Sequence, residues 1–214
     1  MAGAAFRAVP VVLARLKLSF SPAAIFLLVF AVAMSSPLIQ WSDIYFRFAP
    51  AQASRAIYDL NPFPESVEIG RYLAAHCPRE DRIVVLGSEP QIYFYSHRRA
   101  ATGYICVYPL MEPQPYAVGM QQEMIRQIEQ ARPEYVVFVH VSESWLQYRD
   151  SSPLILDWFG HYQREHLQLV GLVEIRPGEP TEYRWFDRPE TNAQTTAESW
   201  LAIFKNRATG EKHR

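Results

Sequence analysis

Arg82-Ile83-Val84-Val85-Leu86-Gly87-Ser88-Glu89-Pro90-Gln91 is the stretch that decides the fold. Ile83 to Leu86 form an unbroken apolar run, the pattern of a strand buried on both faces by helices. Gly87 to Pro90 then read as a strand-to-helix turn. Proline suits the first position of a helix, where its missing N–H costs nothing, so residues 91–96 are expected to be a short helix. A second run of the same kind, Tyr135-Val136-Val137-Phe138-Val139, predicts another buried strand.

Working outward, helical spacing surrounds these strands. Ile69, Tyr72, Leu73 and His76 share one face of a helix over 65–76, ended by Cys77-Pro78. Met120, Met124, Ile128 and Ala131 do the same for a helix over 120–132. Ser152-Pro153 caps a helix whose apolar stripe is Leu154, Ile155, Trp158, Phe159 and Tyr162. A further strand is expected over 102–107, followed by a proline-broken loop over 108–118. Residues 169–175 and 181–186 flank Arg176-Pro177-Gly178-Glu179-Pro180 and read as a closing hairpin. From Asp187 the chain turns polar, so 187–214 is expected to be a largely disordered tail with a short helix over 197–204. The alternation predicts an α/β domain over 64–186: three layers, a mostly parallel sheet and a C-terminal hairpin.

A charge-free stretch over 18–42 precedes all this, centred on Ala23-Ala24-Ile25-Phe26-Leu27-Leu28-Val29-Phe30. As a helix its roughly 25 residues exceed a hydrocarbon core of about 30 Å, which predicts one transmembrane helix. Arg7, Arg15 and Lys17 lie before it and no acid occurs before Asp43. That asymmetry places residues 1–17 in the cytoplasm and the domain outside it. Trp41, Tyr45 and Phe46 sit where an interfacial aromatic belt belongs, and 43–63 becomes a juxtamembrane connection. The rival reading is a cleaved export signal, with Ala31-Val32-Ala33 or Ala51-Gln52-Ala53 as the small-residue site.

Composition narrows the function classes. Of 214 residues, 21 are Lys or Arg and 22 Asp or Glu, giving a net charge of −1 with no basic block outside the membrane flank. A nucleic-acid partner is therefore not expected. The two cysteines, Cys77 and Cys106, read either as buried thiols or as a disulfide permitted in an oxidising compartment. No Walker-type loop, nucleophile elbow or metal-ligand spacing occurs, so no metal, catalytic residue or cofactor is assigned.

Ligands of open parallel sheets favour the carboxyl ends of strands. There Ser88, Glu89, Tyr108, Glu112, His140 and Glu143 form a candidate rim for a polar group. The plainer alternative is that Ser88 and Glu89 cap a helix while Glu143 is solvated. Tyr93, Tyr95, Arg98, Arg99 and Tyr104 are candidate lipid or sugar contacts, since flat amphipathic rings suit sugar faces and arginines suit phosphates. Ordinary helix-to-sheet packing explains the same tyrosines.

A final membrane span followed by Tyr58-x-x-Asn61-Pro62-Phe63-x-Glu65-Ser66 carries a resemblance, as do Ile83 to Ser96, Arg99-x-x-Thr102-Gly103-Tyr104 and Tyr108-Pro109-Leu110-Met111-Glu112. With Glu134-Tyr135-Val136-Val137-Phe138, the set resembles the C-terminal extracytoplasmic domain of bacterial GT-C glycosyltransferases, of the protein mannosyltransferase and aminoarabinose transferase type. The resemblance implies a polyprenyl-phosphate sugar donor and catalytic acids in a loop of a many-span body. This chain has no such loop, so none of those acids carries over. The resemblance thus implies a membrane-anchored accessory or remnant domain, in the bacterial inner membrane, partnered by a polytopic glycosyltransferase subunit and lipid-linked sugar. It is not expected to be catalytic alone. The alternative is an independent single-pass envelope binding or scaffold module.

Overall fold

The computed structural model describes residues 21–190 and 194–208, the side chains of 187–189 excepted. The expected cytoplasmic segment 1–17, the start of the expected span and the final residues 209–214 lie outside them. Two compact units divide the chain, Met1–Ala53 and Ser54–Arg214.

In the first unit, α1 (Pro22–Gln40) is 19 residues long, and Ser21 opens it by accepting a hydrogen bond from the Ala24 amide at 3.2 Å. None of its residues is buried, and it is long and apolar enough to cross a membrane. The short α2 (Ser42–Phe46) follows, with Trp41, Tyr45 and Phe46 all exposed. Helix α3 (Pro50–Tyr58) runs across the division between the units.

The second unit is a mixed α/β domain. Its elements in order are α4 (Phe63–His76), β1 (Arg82–Leu86), α5 (Gln91–Ser96), β2 (Arg99–Ala100), α6 (Tyr108–Met111) and α7 (Ala117–Ala131). Then come β3 (Tyr135–His140), α8 (Ser142–Trp145), α9 (Leu154–His166), β4 (Leu167–Ile175), β5 (Glu182–Glu190) and β6 (Ser199–Asn206). The six strands form one sheet in the order β2-β1-β3-β6-β4-β5. β1 pairs in parallel with both β2 and β3, while β6 runs antiparallel between β3 and β4, and β4 pairs with β5 as the expected hairpin. Four strands thus share one direction, and β6 and β5 oppose them.

Strand alternation supplies two cores. Ile83, Val85, Val137, Leu201 and Ile203 face α4 and α5, meeting Ile69, Leu73 and Ile92. Val84, Leu86 and Val136 face the other way, toward Leu110, Met124, Ile128, Ile155 and Phe159 of α6, α7 and α9. Successive side chains point to opposite faces, so both faces of an apolar run need a helical cover. Burying each such side chain stabilises by about 1.5–3 kcal/mol.

Two expectations are corrected. The region read as a polar tail with a helix over 197–204 contains β6, an interior strand of the sheet. Leu201 and Ile203 fill one core while Phe204 packs on the other, and a sheet partner on each edge overrides helical propensity. No strand forms over the expected 102–107; β2 is two residues, Arg99–Ala100, and lies before that span. Side chains capture its backbone instead: Gln127 Oε1 accepts from the Gly103 amide at 2.8 Å, and Ser88 Oγ accepts from the Val107 amide at 3.0 Å.

Candidate functional site

The chain leaving β1 turns toward β2, while the chain leaving β3 crosses toward β4 on the other side of the sheet. Their carboxyl ends therefore diverge, the arrangement that opens a crevice in α/β sheets. Here the crevice is filled by protein. Gly87 has φ +150°, and a Cβ there would come within 2.6 Å of Ser144 Oγ and 2.8 Å of Val139 Cβ. Only glycine lets the β1 turn approach α8 so closely. Ser144 Oγ accepts the Ser88 amide at 2.8 Å, and Ser88 Oγ holds the Val107 amide, so Ser88 ties three segments together.

Glu89 is 1 % exposed and sits within this junction. It accepts hydrogen bonds from Gln91 Nε2 and from the Ser144 hydroxyl. Burial pushes its carboxyl up to about 7; those two hydrogen bonds pull it down, and the Glu65 charge adds to the rise. Glu65 is itself buried near the start of α4, taking Arg55 Nη2 and Thr181 Oγ1 on Oε1. Its Oε2 is buried without a hydrogen-bond partner among the described residues. Ser66 links the pair of turns: its hydroxyl donates to the Pro62 carbonyl at 2.7 Å and accepts from Gln91 Nε2 at 3.1 Å.

The other rim residues divide. Tyr108 stands beside the junction and donates its hydroxyl to the Glu143 carbonyl at 3.0 Å; its phenol is raised by burial first and then by the nearby Glu89 charge. His140 is exposed at the end of β3, stacked on Trp200 at 4.7 Å. Glu143 is exposed, and its carboxylate accepts from Ser142 at 2.8 Å. Glu112 closes α6 through its backbone, and no hydrogen bond or ion pair among the described residues joins it to Glu89 or His140. A cavity of about 850 Å³ opens beside His140 and Glu143, with Leu60, Trp145 and Glu198 also lining it.

The second set of candidates is largely occupied. Tyr93 Oη accepts the Val85 amide at 2.8 Å, filling a β1 donor that the short β2 leaves unpaired. Arg98 caps the end of α4, its Nε donating to the Cys77 carbonyl at 2.9 Å and Nη2 to the Ala74 carbonyl at 2.8 Å. Tyr104 donates its hydroxyl to Glu123 Oε2 at 2.7 Å. Tyr95 and Arg99 remain exposed. Tyr95 Cβ lies within 2.4 Å of where a side chain on Gly70 would begin, so α5 rests directly on α4.

Cys77 and Cys106 are free thiols. Cys77 is buried in the core beside α4, which pushes its thiol up to about 11 despite nearby Arg98. Cys106 is half-buried and precedes Val107, which packs in the opposite core. No group of three or more His, Cys, Asp or Glu among the described residues could hold a metal ion.

Sequence reasoning located Ser88, Glu89, Tyr108 and Glu143 around one end of the sheet. It missed Glu65, Ser66, Gln91 and Ser144, the partners that seal the junction. Ser144 lies 56 residues from Ser88, and no local pattern announces a contact of that separation. Comparison with protein-family models, with curated proteins and with solved structures gives no match for this chain.

Proposed function

We propose that this chain is a membrane-anchored accessory or remnant C-terminal domain of a glycosyltransferase that uses a polyprenyl-phosphate sugar. In this reading it lies in the bacterial inner membrane with its N-terminus cytoplasmic and its α/β domain periplasmic. A polytopic partner supplies the catalytic acids. The observation that carries the reading is α1, wholly unburied and apolar, preceding an α/β domain in the chain. The resemblance, over roughly residues 21–186, supplies the substrate class. Support also comes from the rim, where Ser88 and Glu89 are engaged in holding turns rather than presented to solvent. A domain of this kind shapes access to a neighbour's site; it breaks no bond itself.

The test is co-purification of the full chain from native membranes, paired with a transfer assay. The expected result is a multi-span companion with acidic residues in an outer loop, and no sugar transfer by the isolated chain. Transfer from a polyprenyl-phosphate donor by the purified chain alone overturns the accessory role. Recovery of no membrane companion, with unchanged envelope glycans after deletion, favours an independent scaffold module instead.

A further inference from the structure

The cavity of about 850 Å³ at the carboxyl end of β3 is built of two kinds of surface. Phe138, Trp145, Leu146 and Leu156 give it apolar walls, and Glu143 and Glu198 give it carboxylates. Both glutamates are exposed, and neither enters an ion pair among the described residues. Among the described residues the lining holds no Lys or Arg, and its one other ionisable side chain is His140, whose ring stacks on Trp200. The wall is also preorganised. Trp145 Nε1 donates to the Val139 carbonyl at 2.6 Å, which fixes the indole at the base of the cavity. A second cavity of about 740 Å³ against β4 and β6 is of mixed charge, lined by Arg164, Arg207 and Glu190.

We propose that the cavity beside β3 is a binding site for a protonated primary amine carried on an apolar body. The ammonium offers three donors to Glu143 and Glu198, and the body displaces water from the apolar walls. A neutral alcohol of the same shape gains the second contribution without the first. Charge-assisted hydrogen bonds are about twice as strong as neutral ones, so the amine is distinguished by its charge. This goes beyond the glycosyltransferase reading and does not depend on it.

The probes are cyclohexylammonium, cyclohexanol and N-acetyl-lysine N-methylamide, titrated into the full chain in lipid nanodiscs. The chain carries 5-fluorotryptophan, and the Trp145 line is assigned by its loss in Trp145→Phe. Cyclohexylammonium is expected to shift that line saturably, and Glu143→Gln with Glu198→Gln to raise its dissociation constant at least tenfold. Both glutamates are exposed, so the double variant retains the fold, which an unchanged fluorine spectrum without ligand verifies. A saturable response to the lysine derivative as well identifies a partner's lysine as an acceptable source; a response to the cyclic amine alone identifies a small molecule. Equal binding of cyclohexanol, or a double variant that titrates like the parent, overturns the proposal.

Discussion

Glu89 joins two effects that usually oppose each other: a side chain closed off from water and a group able to ionise near neutral pH. Its carboxyl ionises near 4.5 when free and about 7 when folded, chiefly because burial penalises the charge. A raised carboxyl favours folding while protonated. Its contribution is complete below about 4.5 and is lost as pH rises through about 7. The full difference is about 3 kcal/mol at 1.36 kcal/mol per unit. Denaturant unfolding at pH 5 and pH 8 should therefore show parent stability falling at the higher pH, with Glu89→Gln flattening that slope. A slope unchanged by the substitution contradicts the assignment. Tyr93→Phe makes a second case at this scale. It leaves the Val85 amide unpaired in the sheet, and a loss of about 1–3 kcal/mol is expected in the same measurement.

Among the elements, β6 is the one on which the sheet depends. It is the partner through which β4 and β5 join β3, and Ile203 on it is wholly buried. Ile203→Ala should cost about 2–5 kcal/mol in equilibrium unfolding, whereas a residue in a loose tail would cost nothing measurable. This is also where the sequence was least legible. β1 and β3 declare themselves as apolar runs, and α5 as the segment after a proline, because those signals are local. Leu201-Ala202-Ile203-Phe204 is equally apolar, but it follows a long polar stretch and admits a helical reading. Its strand character comes from the open edges of β3 and β4, which no window of neighbouring residues contains. The candidate rim followed the same rule. Ser88 and Glu89 were visible from their turn, while Ser144 and Glu65 arrive from distant segments.

For the whole molecule, α1 is long and apolar enough to cross a membrane and buries none of its residues, and membrane extraction tests directly whether it does so. The chain should remain in the pellet after alkaline carbonate treatment. Phe30→Arg, near the middle of α1, should shift it toward the supernatant, since a central arginine costs about 2.5–3.5 kcal/mol on insertion. An intact mass lacking residues through Ala33 would instead show that the helix is removed. The order of strands along the chain has a different consequence. The inner edges of β3 and β4 both wait for β6, a segment synthesised after either of them. While the polypeptide emerges, β3 and the β4–β5 hairpin each present an uncovered edge, able to pair with the wrong strand of another copy. Closure brings together residues far apart in the chain, so assembly should be slow and open to capture by chaperones until residue 206 has cleared the exit.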